Sequence, residues 1–208
     1  MRPQRMDAKE LAFVRQIMAQ PGATFVDVGG NAGLYSLAAA LSAGPGARIL
    51  MIEPDPTLIA RLDFNLETAR AAHRIRDDVT VERYELAVGD HEGEAFISTT
   101  GDEGGRSIVG DANGGARTVQ LATLCSVVER ARLDHIDLMK IDVEGYEDRV
   151  LPPFLATADS HLWPHRIIIE HLQRDRWKPD CIADAEQRGY RQTAATRNNT
   201  ILQRDAYL

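Results

Sequence analysis

Cysteine is almost missing from this chain of 208 residues: Cys125 and Cys181 stand alone and match no metal spacing. That excludes a disulfide scaffold and suits a reducing compartment. Long apolar runs are missing too, and none approaches the roughly 20 residues of a membrane span. No apolar stretch follows Arg2 and Arg5, so no signal peptide is expected. Lysine is far scarcer than arginine, and the net charge is −7. That balance argues against a broad phosphate-binding footprint, and so against nucleic acid, leaving room only for a local basic pocket. Internal repeats and domain-splitting linkers are absent as well. What remains is an ordinary globular composition, 44% hydrophobic and 26% charged, long enough for one α/β domain in the cytoplasm.

Strand and helix signals alternate along the chain. A helix is expected from Asp7 to about Ala19, with Leu11, Val14, Ile17 and Met18 on one face and Pro21-Gly22 ending it. Buried strands follow at 23–28 and 47–52, each leading into a helix, at about 31–42 and 56–72. Further strands are expected at 79–84, 94–99, 119–121, 135–142 and 166–170, with helices at 123–131, 146–157 and 181–188. Two last strands, 190–195 and 200–204, flank Arg197-Asn198-Asn199 as an antiparallel hairpin. Strands alternating with helices predict a parallel sheet covered on both faces. The organisation expected is an N-terminal helix in residues 1–22 and a single domain over 23–208. The glycine-rich polar stretch Gly101–Ala116 has weak structural preference and is a candidate lid.

The most informative stretch is Asp27-Val28-Gly29-Gly30-Asn31-Ala32-Gly33, which closes the first strand and opens a helix. Glycines there allow the backbone close to a ligand, and a helix start offers unpaired N–H groups. The dinucleotide fingerprint needs G-x-G-x-x-G, and Asn31 stands where its second glycine belongs. Asn31 could instead N-cap the helix, and Asp27 could cap the turn. Glu53 ends the second strand about twenty residues on, where an acid accepts hydrogen bonds from ribose hydroxyls or is simply solvated.

Lys140-Ile141-Asp142-Val143-Glu144-Gly145-Tyr146-Glu147 is the second feature. It carries polar residues to the C-terminal end of a strand, the edge where open parallel sheets bind ligands. A lysine and two acids near a core cost free energy unless paired or used, so a Lys140–carboxylate ion pair is the plain alternative.

"VDVGGNAGLYS" at 26–36, "IEPDP" at 52–56, "AVGDHEGE" at 87–94 and "KIDVEGYE" at 140–147 occur in order. Together they resemble the FkbM family of S-adenosylmethionine (SAM) methyltransferases, from about Phe25 to Leu202. The resemblance implies a Rossmann-like class I methyltransferase fold: a mostly parallel seven-stranded sheet, helices on both faces and an antiparallel C-terminal hairpin. It implies SAM as methyl donor, with S-adenosylhomocysteine as product, and a hydroxyl on a small molecule, sugar or secondary metabolite as acceptor. SAM would lie among Asp27, Gly29, Asn31, Gly33, Glu53, Glu85, Ala87 and Asp142, with Glu85 or its neighbours near the adenine. Ser107 resembles a serine that the family often carries in this loop. Longer relatives carry extra N-terminal structure, so substrate cover is expected to be thin here or supplied by a partner subunit, and a homodimer is allowed.

Methyl transfer to an alcohol requires alignment of donor and acceptor and removal of the acceptor's proton. Asp142 is the first candidate base and His171, directly after the fifth main strand, the second. Asp142, Glu144, Glu170 and His171 could instead hold a divalent metal, but their spacing is not diagnostic and a metal-free site is preferred. Trp163, Trp177, His161, His165 and Arg174-Asp175-Arg176 are assigned to packing or surface. A nucleotide-dependent oxidoreductase and a non-catalytic SAM-binding scaffold are the competing classes.

Overall fold

A computed structural model of the chain describes residues 8–98, 108–109 and 116–207. Its elements in chain order begin with α1 (Ala8–Met18), β1 (Thr24–Val28), α2 (Leu34–Ser42), β2 (Arg48–Ile52), α3 (Pro56–Ala71) and β3 (Thr80–Tyr84). Then come β4 (Ala87–Gly89), β5 (Gly93–Ser98), β6 (Ile108–Val109), β7 (Ala116–Thr123), α4 (Leu124–Arg130) and β8 (Leu138–Ile141). The last are α5 (Leu151–Thr157), β9 (Arg166–Glu170), α6 (Cys181–Gln187), β10 (Tyr190–Ala195) and β11 (Asn199–Arg204).

Seven strands form the main sheet in the order β10-β11-β9-β8-β1-β2-β3. The chain winds outward from β1 through β2 to β3, then crosses to β8 and β9 on the other side of β1. All these neighbours pair in parallel, while β11 is antiparallel to both β9 and β10. The expected doubly covered parallel sheet with a terminal hairpin is what forms. Alternate residues serve two cores. Val26, Val28, Leu50, Ile52, Met139, Ile141, Ile167 and Ile169 pack on the side of α4, α5 and α6. Phe25, Ile49, Met51, Leu138 and Ile168 pack on the side of α1, α2 and α3. Every residue of β1 and β8 is buried, so Lys140 is a charged residue in the middle of a core strand.

Local chemistry moves several boundaries. The helix expected from about Asn31 starts at Leu34, because Gly29, Asn31 and Gly33 all take left-handed conformations (φ 74°, 49° and 76°), which a right-handed helix cannot contain. The helix expected from Tyr146 splits into a 3-10 turn at Glu147–Arg149 and α5. Pro152 and Pro153 fit only a first helical turn and disfavour helix in the residue before them. The short strands around β5 and β7 were expected; their union was not. They join β4 and β6 in a second sheet, order β4-β7-β5-β6, over its own core of Ala87, Ala95, Ile97, Val119 and Leu121. Ser107 and most of the 101–116 segment lie outside the described residues. Among the described residues no helix is long and apolar enough to cross a membrane.

Candidate functional site

The strand order reverses between β1 and β8, and a crevice opens at the C-terminal ends of strands on either side of such a point. A cavity of about 1020 Å³ lies there, at the upper end of the roughly 300–1,000 Å³ of small-molecule pockets. One flank is built from Gly29–Ala32, Glu53 and Leu86–Val88. The other is built from Lys140, Asp142–Glu144, Glu170 and the β10–β11 turn, with Glu10 and Tyr35 over the top.

The glycine turn is held by protein rather than left open for a ligand. A Cβ on Gly29 would lie 1.9 Å from the Asp142 carbonyl oxygen, so the exits of β1 and β8 pack backbone to backbone. Gly33 does not line the cavity; a Cβ there would strike Leu62 of α3, and its φ is positive. The close approach that makes these residues glycine is therefore to the chain's own atoms. Glu53, 7% exposed just past β2, ties the turn down: Oε2 accepts from Asn31 N at 2.9 Å and Oε1 from Asp55 N at 2.9 Å. Asn31 does not N-cap α2; its Oδ1 accepts from the next backbone N–H, of Ala32.

Asp27 is buried, and its Oδ2 accepts from Ser36 N (3.1 Å) and Ser36 Oγ (2.6 Å), which anchors α2 to β1. Burial pushes its carboxyl above the usual range, opposed by Lys140. Lys140, 2% exposed, donates to Asp142 Oδ2 at 2.7 Å, and its ammonium lies 4.7 Å from the centre of the Tyr35 ring. Burial works against that charge, but Asp142 and Asp27 outweigh it and hold the ammonium above its ordinary pKa. The plain alternative for Lys140 is thus realised, with Asp142 as its partner. Tyr35 donates to Glu10, a buried acid that also accepts from Thr196 Oγ1 and from Asn199 Nδ2 at 3.0 and 3.1 Å. This knot joins α1, α2 and the β10–β11 turn above the cavity.

Two other acids line the same end. Glu144 has a left-handed backbone (φ 55°), and its carboxyl is pushed up to about 7, by burial first and then by Asp142 and Glu147. Glu170 ends β9, and its carboxyl is pushed up to about 8, by burial and then by Asp142 and Glu144. Glu147 caps the turn from below, its Oε1 accepting from Val143 N and Gly145 N and its Oε2 from Trp177 Nε1.

Of the residues singled out from sequence, Asp27, Gly29, Asn31, Glu53, Ala87 and Asp142 meet at the cavity; Gly33, Glu85 and His171 do not line it. The Glu85 side chain is half exposed, with Oε1 3.3 Å from Arg117 of β7; its neighbours Leu86 and Ala87 face inward instead. Both ring nitrogens of His171 are engaged, Nδ1 with Thr200 Oγ1 at 2.9 Å and Nε2 with the Arg197 carbonyl at 3.3 Å. Among the described residues no group of three or more His, Cys, Asp or Glu side chains could hold a metal ion together. Trp163 stacks against Arg204, with the guanidinium 5.1 Å from the ring centre. Trp177 is buried on Glu147. Sequence reasoning missed Glu10, Tyr35 and Asn199. Glu10 alone left a signal, since the spacing of Glu10, Val14, Ile17 and Met18 puts an acid on the apolar face of α1.

The family described as "Methyltransferase FkbM domain" matches residues 27–191. The AMB antimetabolite synthetase AmbE of Pseudomonas aeruginosa is 31% identical over 193 residues, covering 76% of this chain but only 9% of that protein. The crystal structure of Methyltransferase FkbM from Methylobacillus flagellatus KT superposes with a TM-score of 0.52 at 18% identity, over 87% of this chain and 43% of that one. The O-methyltransferase from Bacillus cereus in complex with SAH gives 0.53 at 14% identity, over 96% and 82%. At these identities the superpositions speak for the fold alone. The matched span contains the glycine turn, Glu53 and the Lys140–Glu147 strand end. The chain belongs to the FkbM methyltransferase family.

Proposed function

We propose that this domain is a SAM-dependent methyltransferase that methylates a hydroxyl oxygen of a small molecule, sugar or secondary metabolite in the cytoplasm. The observation that carries the reading is one continuous cavity joining the glycine turn and Glu53 on one side to polar strand ends on the other. The residues fit SAM. A carboxylate oxygen accepts from more than one donor, so Glu53 can hold the turn and also receive ribose hydroxyls. Leu86–Val88 offer an apolar wall for an adenine, and the Asp27–Lys140 region faces the amino-acid end.

When bound, SAM supplies a methyl group on a sulfonium, already a strong electrophile. The chain's part is to hold donor and acceptor in line, exclude water and provide a carboxylate for the acceptor's proton. Asp142, Glu144 and Glu170 all border the space an acceptor would occupy, so none must be recruited from elsewhere. Net charge of −7 supports a small-molecule acceptor over nucleic acid.

The test is incubation with methyl-labelled SAM and panels of polyols, hydroxylated peptides and phenols, beside matched amines and carboxylic acids. Label in base-stable ethers is the expected outcome. Label confined to amines, or to base-labile esters, would contradict oxygen transfer to a hydroxyl.

A further inference from the structure

Asp142 and Glu170 occupy equivalent places on adjacent parallel strands. The register pairs Lys140 with Ile168 and Ile141 with Ile169, so continuing it places Asp142, just past β8, beside Glu170, the last residue of β9. Side chains at paired positions point to the same face, and both acids line the cavity. Their partners differ. Asp142 is committed to Lys140 at 2.7 Å, an ammonium only 3% exposed at its side chain. Glu170 has no hydrogen-bonded or ion-paired side-chain partner among the described residues. The other sequence candidate, His171, points both ring nitrogens at Thr200 and the Arg197 carbonyl.

From this geometry, and resting on the function proposed above, we infer that Glu170 is the catalytic base, while Asp142 with Lys140 is a fixed ion pair that positions it. As the acceptor oxygen bonds to the methyl carbon, the carbon–sulfur electron pair stays on the sulfur of the departing thioether. The hydroxyl proton passes to a Glu170 carboxylate oxygen. One neutral alcohol, one sulfonium and one carboxylate become an ether, a neutral thioether and a carboxylic acid, so atoms and charge balance.

The surroundings set Glu170 apart from Asp142. Glu170 faces Asp142 and Lys140 from β8 and its exit, Glu144 and Glu147 from the turn below, and Asn199 opposite it in β11. Burial and three carboxylates against one lysine push its carboxyl up to about 8, in the range of an effective base near neutral pH. Of the two neighbouring acids, Asp142 is held as the partner of a buried ammonium, and Glu170, without such a partner among the described residues, is the one placed to take the proton. A sulfonium brought into this cavity is a second cation close to Glu170 and favours its ionisation. The neutral sulfur of S-adenosylhomocysteine is not.

That difference can be read without knowing the acceptor. Calorimetric titration of the chain with SAM and with S-adenosylhomocysteine at pH 8, each in two buffers of different ionisation enthalpy, measures protons released on binding. SAM is expected to release about half a proton more than the homocysteine product, since a group with a pKa of about 8 is half protonated there. Glu170→Gln should abolish the excess while still binding both ligands. Asp142→Asn and Glu144→Gln each remove a carboxylate that raises Glu170, so they should shift the excess to lower pH without abolishing it. An excess unchanged in Glu170→Gln, or no excess in the unmodified chain, would overturn the assignment. Failure of both ligands to bind the unmodified chain would instead strike the proposed function itself.

Discussion

Lys140→Met should destabilise the fold by about 3–5 kcal/mol at pH 8, measured by urea denaturation. The substitution keeps the volume of the side chain and removes its charge. In the unmodified chain that charge stands 2.7 Å from Asp142 Oδ2 and opposes the negative charge of buried Asp27. Without it two carboxylates at the end of the core strands face each other with no cation, and Tyr35 loses the ammonium over its ring. The cost should shrink as the pH falls. An acid raised in the folded state keeps a proton that the unfolded chain has released, so lowering the pH restores stability to the variant. Lys140 shifts the other way: its contribution is fully present below the ordinary lysine pKa and is lost only as alkaline pH passes its raised folded value. The gap should therefore be wide at pH 8 and narrow at pH 5. Adding Asp27→Asn and Asp142→Asn to Lys140→Met should recover much of the loss, since a buried pair replaced as a whole costs far less than one broken in half.

Glu147→Ala is expected to cost about 3–5 kcal/mol through the donors it leaves unsatisfied, and to lower the thermal midpoint by roughly 10 °C in a chain of this size. Glu147 is 1% exposed, and three donors converge on it: the Val143 and Gly145 backbone N–H groups at 3.0 and 3.3 Å, and Trp177 Nε1 at 2.9 Å. Alanine would leave all three without an acceptor inside the protein, each at the full cost of its desolvation. Glu147→Gln, which still offers an oxygen to the two backbone groups, should cost only about 1–2 kcal/mol. The same turn holds Glu144 left-handed between Val143 and Gly145. Loosening it should weaken ligand binding as well as stability. A loss equal in the alanine and glutamine variants would mean that the three hydrogen bonds are not what Glu147 contributes.

The main sheet was legible because its signals are local. Short apolar runs such as Phe25-Val26 and Ile49–Ile52 mark strands covered on both faces, and amphipathic helices between them dictate parallel crossovers. The second sheet was not legible, since β4 pairs with β7 across more than thirty residues and no periodicity in either strand names its partner. The glycine turn pointed to the right place for an incomplete reason. Its residues were read as making room for a ligand, whereas Gly29 and Gly33 make room for Asp142 and Leu62. The acids at the strand ends were visible as a group, but their division of labour was not. Which carboxylate Lys140 neutralises depends on a distance of 2.7 Å that spacing alone cannot supply. His171 stood out by type and position, yet Thr200 and Arg197, remote in sequence, turn its ring away from the cavity.

The central claim is that the turn and Glu53 make an adenosyl-cofactor site rather than a dinucleotide site. Its most direct test is calorimetric titration with S-adenosylhomocysteine, with NAD run alongside, for the unmodified chain and for Glu53→Ala. The account predicts micromolar binding of the homocysteine product and none of NAD. It also predicts a loss of about tenfold to a hundredfold in Glu53→Ala, the worth of one or two hydrogen bonds to a charged acceptor. Binding of NAD without the homocysteine product, or affinity unchanged by Glu53→Ala, would contradict it.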